Sequence, residues 1–246
     1  MSSPLQRPTN VINMKIVYRI SDAGFNKIKP QYINNENCLK NALQAFPLSN
    51  HEWHVLADGV SKPTKLMIEK YIPKDNIEHI NIKNGPGYPF LYILDKIIET
   101  TPDNKIVYFI ENDYLHKIGS DVILEEGIRL GADYVTLYDH PDKYIDANMG
   151  GNPFIEGGGE ITKVFLSKSC HWKLTNSTTG TFASTVRVLK QDYEIIKKYT
   201  NSPYWNDFHM FTELIQKGQT LISCIPGYST HGETAWLTPL TDWSTI

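Results

Sequence analysis

Short apolar runs alternate with amphipathic stretches along most of the chain, and several apolar runs stop abruptly on carboxylates. The sharpest is 105–110, Lys-Ile-Val-Tyr-Phe-Ile, which follows the breaker Thr101-Pro-Asp-Asn104 and ends on Glu111-Asn112-Asp113. It is too short for a useful helix and rich in Val, Ile and aromatics, so it predicts a buried strand with acidic residues at its carboxyl end. The same texture predicts strands over 13–20, 52–57 and 77–82, the second halting at Asp58. Between them, apolar residues at helical spacing predict helices over 35–46, 63–71 and 89–99. The pattern continues with a helix over 120–130 and a strand over 132–138.

After residue 145 the texture changes. Glycine-rich stretches lead into three short runs, 163–167, 171–175 and 181–184, that read as antiparallel strands of a small hairpin-bearing insertion. Helices over 188–199 and 207–217 and a last strand over 221–225 complete the chain, followed by a tail containing His231 and Trp243. Strand and helix in alternation predict an α/β fold with a mostly parallel central sheet flanked by helices. One domain over 13–246 is expected, preceded by a flexible leader over 1–12.

Composition narrows the function classes. The 246 residues carry 41% hydrophobic content, enough for one sizeable core, and a net charge of −3 that gives no clustered basic pull toward nucleic acid. Cys38, Cys170 and Cys224 lie far apart with no C-x-x-C spacing, which suits a reducing compartment. No run approaches the roughly 18 apolar residues of a membrane span. A cytoplasmic protein is expected, free or peripheral to a membrane.

Carboxylates at the carboxyl ends of parallel strands occupy the edge where open α/β sheets bind ligands. Asp58 and Asp113 there suit a nucleoside diphosphate and its cation, since Mg²⁺ and Mn²⁺ take oxygen ligands and an imidazole tilts the choice toward Mn²⁺. His231, in a loop directly after a strand, is a candidate imidazole. A turn-forming carboxylate and a histidine without metal remain the plainer readings of these positions. The turn Lys83-Asn-Gly-Pro-Gly87 lets backbone approach a ligand but matches no Walker or Rossmann fingerprint. Asp207 opens a predicted helix, where Asn206 or Asp207 could serve simply as its cap. Trp172, Trp205 and other late aromatics suit either stacking on sugar rings or core packing, and core packing is expected of Trp243.

The order of these features, with the stretches 108–116 and 137–144, resembles GT-A fold nucleotide-sugar-dependent glycosyltransferases of a family-2-like kind, over roughly residues 14–243. Glu111-Asn112-Asp113 takes the place of the DXD motif, with Glu111 in place of its first Asp. The resemblance implies a metal-dependent hexosyl- or pentosyltransferase that moves a sugar from a nucleotide-diphosphate sugar to a glycan or other hydroxyl acceptor, with inversion. It implies donor contacts from Arg19, Ser21, Asp58, Gly85, Gly87, Glu111, Asn112 and Asp113, and Mn²⁺ or Mg²⁺ held by Asp113 and His231. Asp207 is implied as general base, with Asn206 standing where a second acid is familiar. Tyr114, His116, Trp172, Thr179, Trp205 and Asn206 are the expected acceptor or sugar contacts. The donor half would run over about 13–145 and the acceptor half over about 146–246. Arg19 could equally be half of a structural ion pair.

Two rivals share these features. A sugar nucleotidyltransferase would want a glycine-rich loop with a basic residue after the first strand, whereas Arg19-Ile-Ser-Asp-Ala-Gly24 holds one glycine. A carbohydrate-binding protein of the same fold would bind sugar without needing Asp207.

Overall fold

A computed structural model describes residues 12–23, 27–82 and 85–246. All of the expected leader except Ile12 lies outside these residues, as do Lys83 and Asn84 of the Gly-Pro-Gly turn. The first part of the chain runs β1 (Lys15–Ser21), α1 (Asn35–Ala45), β2 (Glu52–Asp58), α2 (Lys62–Tyr71), β3 (Ile77–Ile80), α3 (Gly87–Thr100) and β4 (Ile106–Glu111). Cap residues set the helix starts: Asn34 Oδ1 accepts from the Asn37 N–H at 3.0 Å, and Ser61 caps α2 in the same manner. The second part runs β5 (Tyr114–His116), α4 (Ser120–Arg129), β6 (Tyr134–Thr136), β7 (Val164–Leu166), β8 (His171–Leu174), β9 (Phe182–Thr185), α5 (Val186–Gln191), α6 (Tyr193–Thr200), α7 (Asp207–Gln216), β10 (Leu221–Ile225) and β11 (Ser229–His231).

Nine strands form one sheet in the order β3-β2-β1-β4-β9-β6-β10-β8-β7, and all but β8 and β9 run in the same direction. Both faces are covered. Ile16, Tyr18, Tyr108 and Ile110 pack with Leu39, Ala42 and Ile68 of α1 and α2, while their neighbours Val17, Val107 and Phe109 pack with Phe90, Ile93 and Leu94 of α3 and Phe211 of α7. Burial on both sides explains why these strands read as continuous apolar runs instead of alternating. No helix among the described residues is long and apolar enough to cross a membrane.

Two expectations about the later chain need correction. The β7–β8 hairpin exists, but it extends the end of the main sheet, and β9 is not part of an insertion at all. β9 lies between β4 and β6, with Ala183 buried on one face and Phe182 on the other. Four residues were too few for their sequence to reveal that central place. The helix expected over 188–199 begins at Val186 and breaks at Asp192, whose Oδ2 accepts from Tyr134 Oη at 2.7 Å and Gln219 Nε2 at 2.6 Å.

β5 and β11 form a separate two-stranded antiparallel ladder in which His231 lies opposite Tyr114. It is anchored to α1 by buried Asn41, whose Oδ1 accepts from the His116 N–H at 2.7 Å while its Nδ2 donates to the His116 carbonyl at 2.9 Å. Removing this amide leaves a buried N–H and a buried C=O unpaired. Asn41→Ala is therefore expected to lower the unfolding free energy by about 2–3 kcal/mol, measured by urea denaturation.

Candidate functional site

Register decides which side chains meet. In the parallel β2-β1-β4 group Ser21 pairs with Asp58 and Arg19 with Glu111, so three strands end together on polar groups. Above this edge lies a cavity of about 790 Å³. Of the residues expected at a site, Arg19, Ser21, Asp58, Gly85, Glu111, Asn112, Asp113, Tyr114, Thr179, Trp205, Asp207 and His231 line it.

Arg19 is both an ion pair and a cavity residue. Its Nε and Nη2 donate to the Glu111 carboxylate at 2.9 and 2.6 Å, and its Nη1 stands 4.0 Å from Asp58 Oδ2. Burial works against its charge, and the neighbouring Glu111 carboxylate overcomes that cost. Asp58 is almost wholly buried and accepts from the Ile82 N–H at 2.8 Å, which ties the end of β2 to the segment after β3. Asn112 donates to the Ser21 carbonyl at 3.2 Å and to Asn35 Oδ1 at 2.5 Å, bracing the β1 and β4 ends against α1.

Asp113 and His231 are separated by 118 positions, yet Oδ2 of the one lies 3.2 Å from Nε2 of the other. The β5–β11 ladder makes this contact, closed by the Gly232 N–H donating to the Asp113 carbonyl at 2.7 Å. A Cβ at Gly232 would collide with Ile33 and stand 2.7 Å from that carbonyl oxygen, so the crossing needs glycine. Burial pushes the Asp113 carboxyl up, but the His231 hydrogen bond and the charges of His231 and Lys29 outweigh it and hold the group well below the usual carboxylate range. Lys29 Nζ donates to the same Oδ2 at 2.8 Å.

Asp207 forms part of the cavity wall where α7 begins. The capping role belongs to Asn206, whose Oδ1 accepts from the His209 N–H, while Asp207 Oδ1 accepts from the Phe208 N–H at 2.8 Å. Burial pushes the Asp207 carboxyl up to about 6. Trp205 packs on Phe90 with ring centroids 4.0 Å apart and passes over Gly180, where a Cβ would stand 2.8 Å from the indole. Its Nε1–H is buried and has no acceptor among the described residues. Tyr114 Oη and Thr179 Oγ1 are hydrogen-bonded beside it in the cavity lining.

Four expected contacts fall outside the cavity lining. His116 is fully buried: its Nε2 bonds Tyr108 Oη at 2.8 Å, its ring meets Phe46 edge-on, and burial pushes its pKa down to about 3, so it is a neutral core residue. Trp172 is fully buried between Gly127 and the sheet, with Nε1 donating to Ser167 Oγ at 3.1 Å. Gly87 opens α3 under the carbonyls of Thr200 and Ser202, and Asn206 is spent on the cap. Trp243, expected in the core, is there. The sequence reading missed Asp22, Lys27, Lys29 and Asn35, which also line the cavity. Two lysines one residue apart in the loop after the first strand were the available signal. Asp22 accepts from the Ser61 N–H, Thr64 Oγ1 and Asn35 Nδ2; burial raises its pKa, and these donors more than reverse that.

Asp113 and His231 are a carboxylate–imidazole pair in the cavity lining that could hold a divalent ion; among the described residues no group of three or more such ligands forms. A pair fits this role, because Mg²⁺-like ions bound with phosphates take only one or two protein ligands and complete their shell from phosphate oxygens and water.

The Asp207 carboxyl binds its proton more tightly in the folded chain than in the unfolded one, where its pKa is about 3.9. Its contribution therefore favours folding at low pH and is lost as pH rises from about 4 to about 6. Asp207→Asn is expected to be more stable than the parent by about 1–2 kcal/mol at pH 8, after discounting for partial exposure, and equal to it at pH 4. Urea titrations at the two pH values measure this.

No protein-family model matches the sequence, and no curated protein matches it. Among solved structures, the chain is similar to GalNAc-T7, crystallised with UDP, GalNAc and Mn²⁺, with a TM-score of 0.61 at 10% identity. That likeness covers 94% of this chain and 46% of GalNAc-T7, so the chain spans about half the length of that protein. It is also similar to the galactosyltransferase LgtC in complex with donor and acceptor sugar analogues, with a TM-score of 0.47 at 13% identity, covering 85% of this chain and 73% of LgtC. The likeness to GalNAc-T7 is one of fold, and with the sheet described above it establishes that this chain has the GT-A fold.

Proposed function

We propose that the protein is a glycosyltransferase that moves a hexosyl or pentosyl group from a nucleotide-diphosphate sugar to an acceptor hydroxyl, with a divalent cation and with inversion at the anomeric carbon. The observation that carries this reading is the convergence of Asp113 Oδ2 and His231 Nε2, 3.2 Å apart, in the same cavity as a carboxyl raised to about 6. The fold shared with a protein crystallised with UDP, GalNAc and Mn²⁺ supports the donor class.

In this reading Asp113 and His231 would hold Mn²⁺ or Mg²⁺, the imidazole favouring Mn²⁺. The bound ion would neutralise charge on the departing diphosphate. Asp58 and Arg19 border the base, Asn112 the ribose, and the backbone at Gly85 lies beside the nucleotide. Tyr114, Thr179 and the unpaired indole N–H of Trp205 face the sugar. Asp207 accepts the acceptor's hydroxyl proton as the oxygen bonds the anomeric carbon and the bond from that carbon to the diphosphate oxygen breaks. A carboxylate with a pKa near 6 is ionised at neutral pH and a stronger base than an ordinary one. Residues 13–145 supply most donor contacts and 146–246 the base and, apart from Tyr114, the sugar wall, although His231 comes from the later half.

Calorimetry with UDP, with and without Mn²⁺, tests the metal: Asp113→Ala is expected to abolish the gain in affinity that Mn²⁺ brings, and an undiminished gain would refute its assignment. Asp207→Asn is expected to leave donor binding unchanged and to lower the transfer rate by about 10²–10⁴. Retention of configuration in the product would remove Asp207 as base, and binding of sugar with no turnover by the parent protein would point to a carbohydrate-binding role.

The pH dependence offers a separate check. Because Asp207 must be ionised to take a proton, kcat is expected to rise with pH along an acid limb centred near 6. A rate independent of pH between 5 and 7 would sink the role.

A further inference from the structure

Asp113 Oδ2 is shared. Lys29 Nζ lies 2.8 Å from it and His231 Nε2 lies 3.2 Å from it, so the oxygen best placed to bind an ion already accepts an ammonium group. The second carboxylate of the triplet offers no substitute, because Arg19 holds both oxygens of Glu111. The other lysine of this loop is differently engaged: Lys27 Nζ pairs with Glu233 Oε2 at 2.6 Å, and Glu233 in turn stands 3.9 Å from His231 Nδ1. The Lys29 side chain is partly exposed on a four-carbon stem, so its head can leave Asp113 without moving the backbone.

We propose that Lys29 is a resident counter-cation of the Asp113–His231 corner, competing with the divalent ion for Asp113 Oδ2 and passing its pairing to the donor diphosphate when that enters. The inference rests on the reading of this corner as a metal site and adds a consequence to it. Ion and nucleotide bind cooperatively, since each removes an obstacle to the other: the diphosphate draws Lys29 off the carboxylate, and the ion releases Lys29 toward the phosphates. Such coupling is reciprocal in the binding free energies. Beside His231, the lysine also gives the Asp113 carboxylate an ammonium partner in the absence of a donor.

The test is calorimetric titration of the full chain with Mn²⁺ alone, and separately with UDP in metal-free buffer. Lys29→Met is expected to bind Mn²⁺ about tenfold more tightly than the parent and metal-free UDP about tenfold more weakly. Lys29→Arg, which keeps the cation, should retain the parent's weak Mn²⁺ binding. Lys27→Met removes the same charge without touching Asp113 and should change Mn²⁺ affinity less than about threefold. Thermal unfolding of each variant establishes that it is folded, which the partly exposed position of Lys29 favours. Mn²⁺ affinity unchanged in Lys29→Met overturns the proposal while leaving the metal site standing. Equal gains in the Lys27 and Lys29 variants overturn it too, because net charge would then account for both. Failure of parent and Lys29→Met alike to bind Mn²⁺, with or without UDP, overturns the metal reading and this inference together.

Discussion

Like charges crowded at one sheet edge are the constraint that the rest of the structure answers. Among the described residues, Asp22, Asp58, Glu111, Asp113 and Asp207 line one cavity against Arg19, Lys27 and Lys29. Buried carboxylates are tolerated only when paired or hydrogen-bonded. Each carboxylate here has its own arrangement: Arg19 grips Glu111, Lys29 and His231 flank Asp113, Thr64, Asn35 and the Ser61 N–H serve Asp22, and Asp58 takes a backbone N–H. Asp207 differs from Asp22 and Asp113, whose partners lower their pKa, because burial raises its own. A carboxyl left in that condition among satisfied neighbours is the one suited to taking up a proton.

The small β5–β11 ladder matters beyond its six residues. It sets His231 opposite Tyr114 and so brings the imidazole against Asp113, and it is itself pinned to α1 by Asn41. His116, expected from the sequence to contact acceptor or sugar, is the anchor point of this ladder. Its imidazole is committed to Tyr108 and its backbone to Asn41. Tyr114, which lines the cavity, and His116, which holds the ladder to α1, are thus two positions apart on one strand.

The sheet supports this arrangement with the charge pattern that makes an α/β edge useful. Parallel strands β2, β1 and β4 terminate together, so polar residues following apolar runs converge without any of them being close in sequence. In the proposed reading a cation would offset the repulsion between these carboxylates and an anionic donor, which links the carboxylates to the proposed metal and the proposed metal to the proposed role of Lys29.

Much of the architecture was legible in the sequence because it depends on local rules. Apolar runs of four to seven residues marked β1, β2, β4 and β10, helical spacing marked α1 to α4 and α7, and the acidic endings at Asp58 and Asp113 followed from where those runs stop. What pairs with what was not local. The three-residue strands β5 and β11 are below the length at which periodicity can be read, β9 joins the centre of the sheet from a stretch that looks like insertion, and Asp192 breaks a helix through bonds to Tyr134 and Gln219. Trp172 and His116 have side chains equally suited to core and site, and burial alone assigned both to the core. The sequence by itself determined an α/β chain with carboxylates at its strand ends, because strand and helix patterns are written in consecutive residues. Only the tertiary structure decided that His231 meets Asp113, that Asn206 caps while Asp207 faces the cavity, and that Lys29 already occupies the contested oxygen, because contacts across such separations depend on register and packing that no spacing encodes.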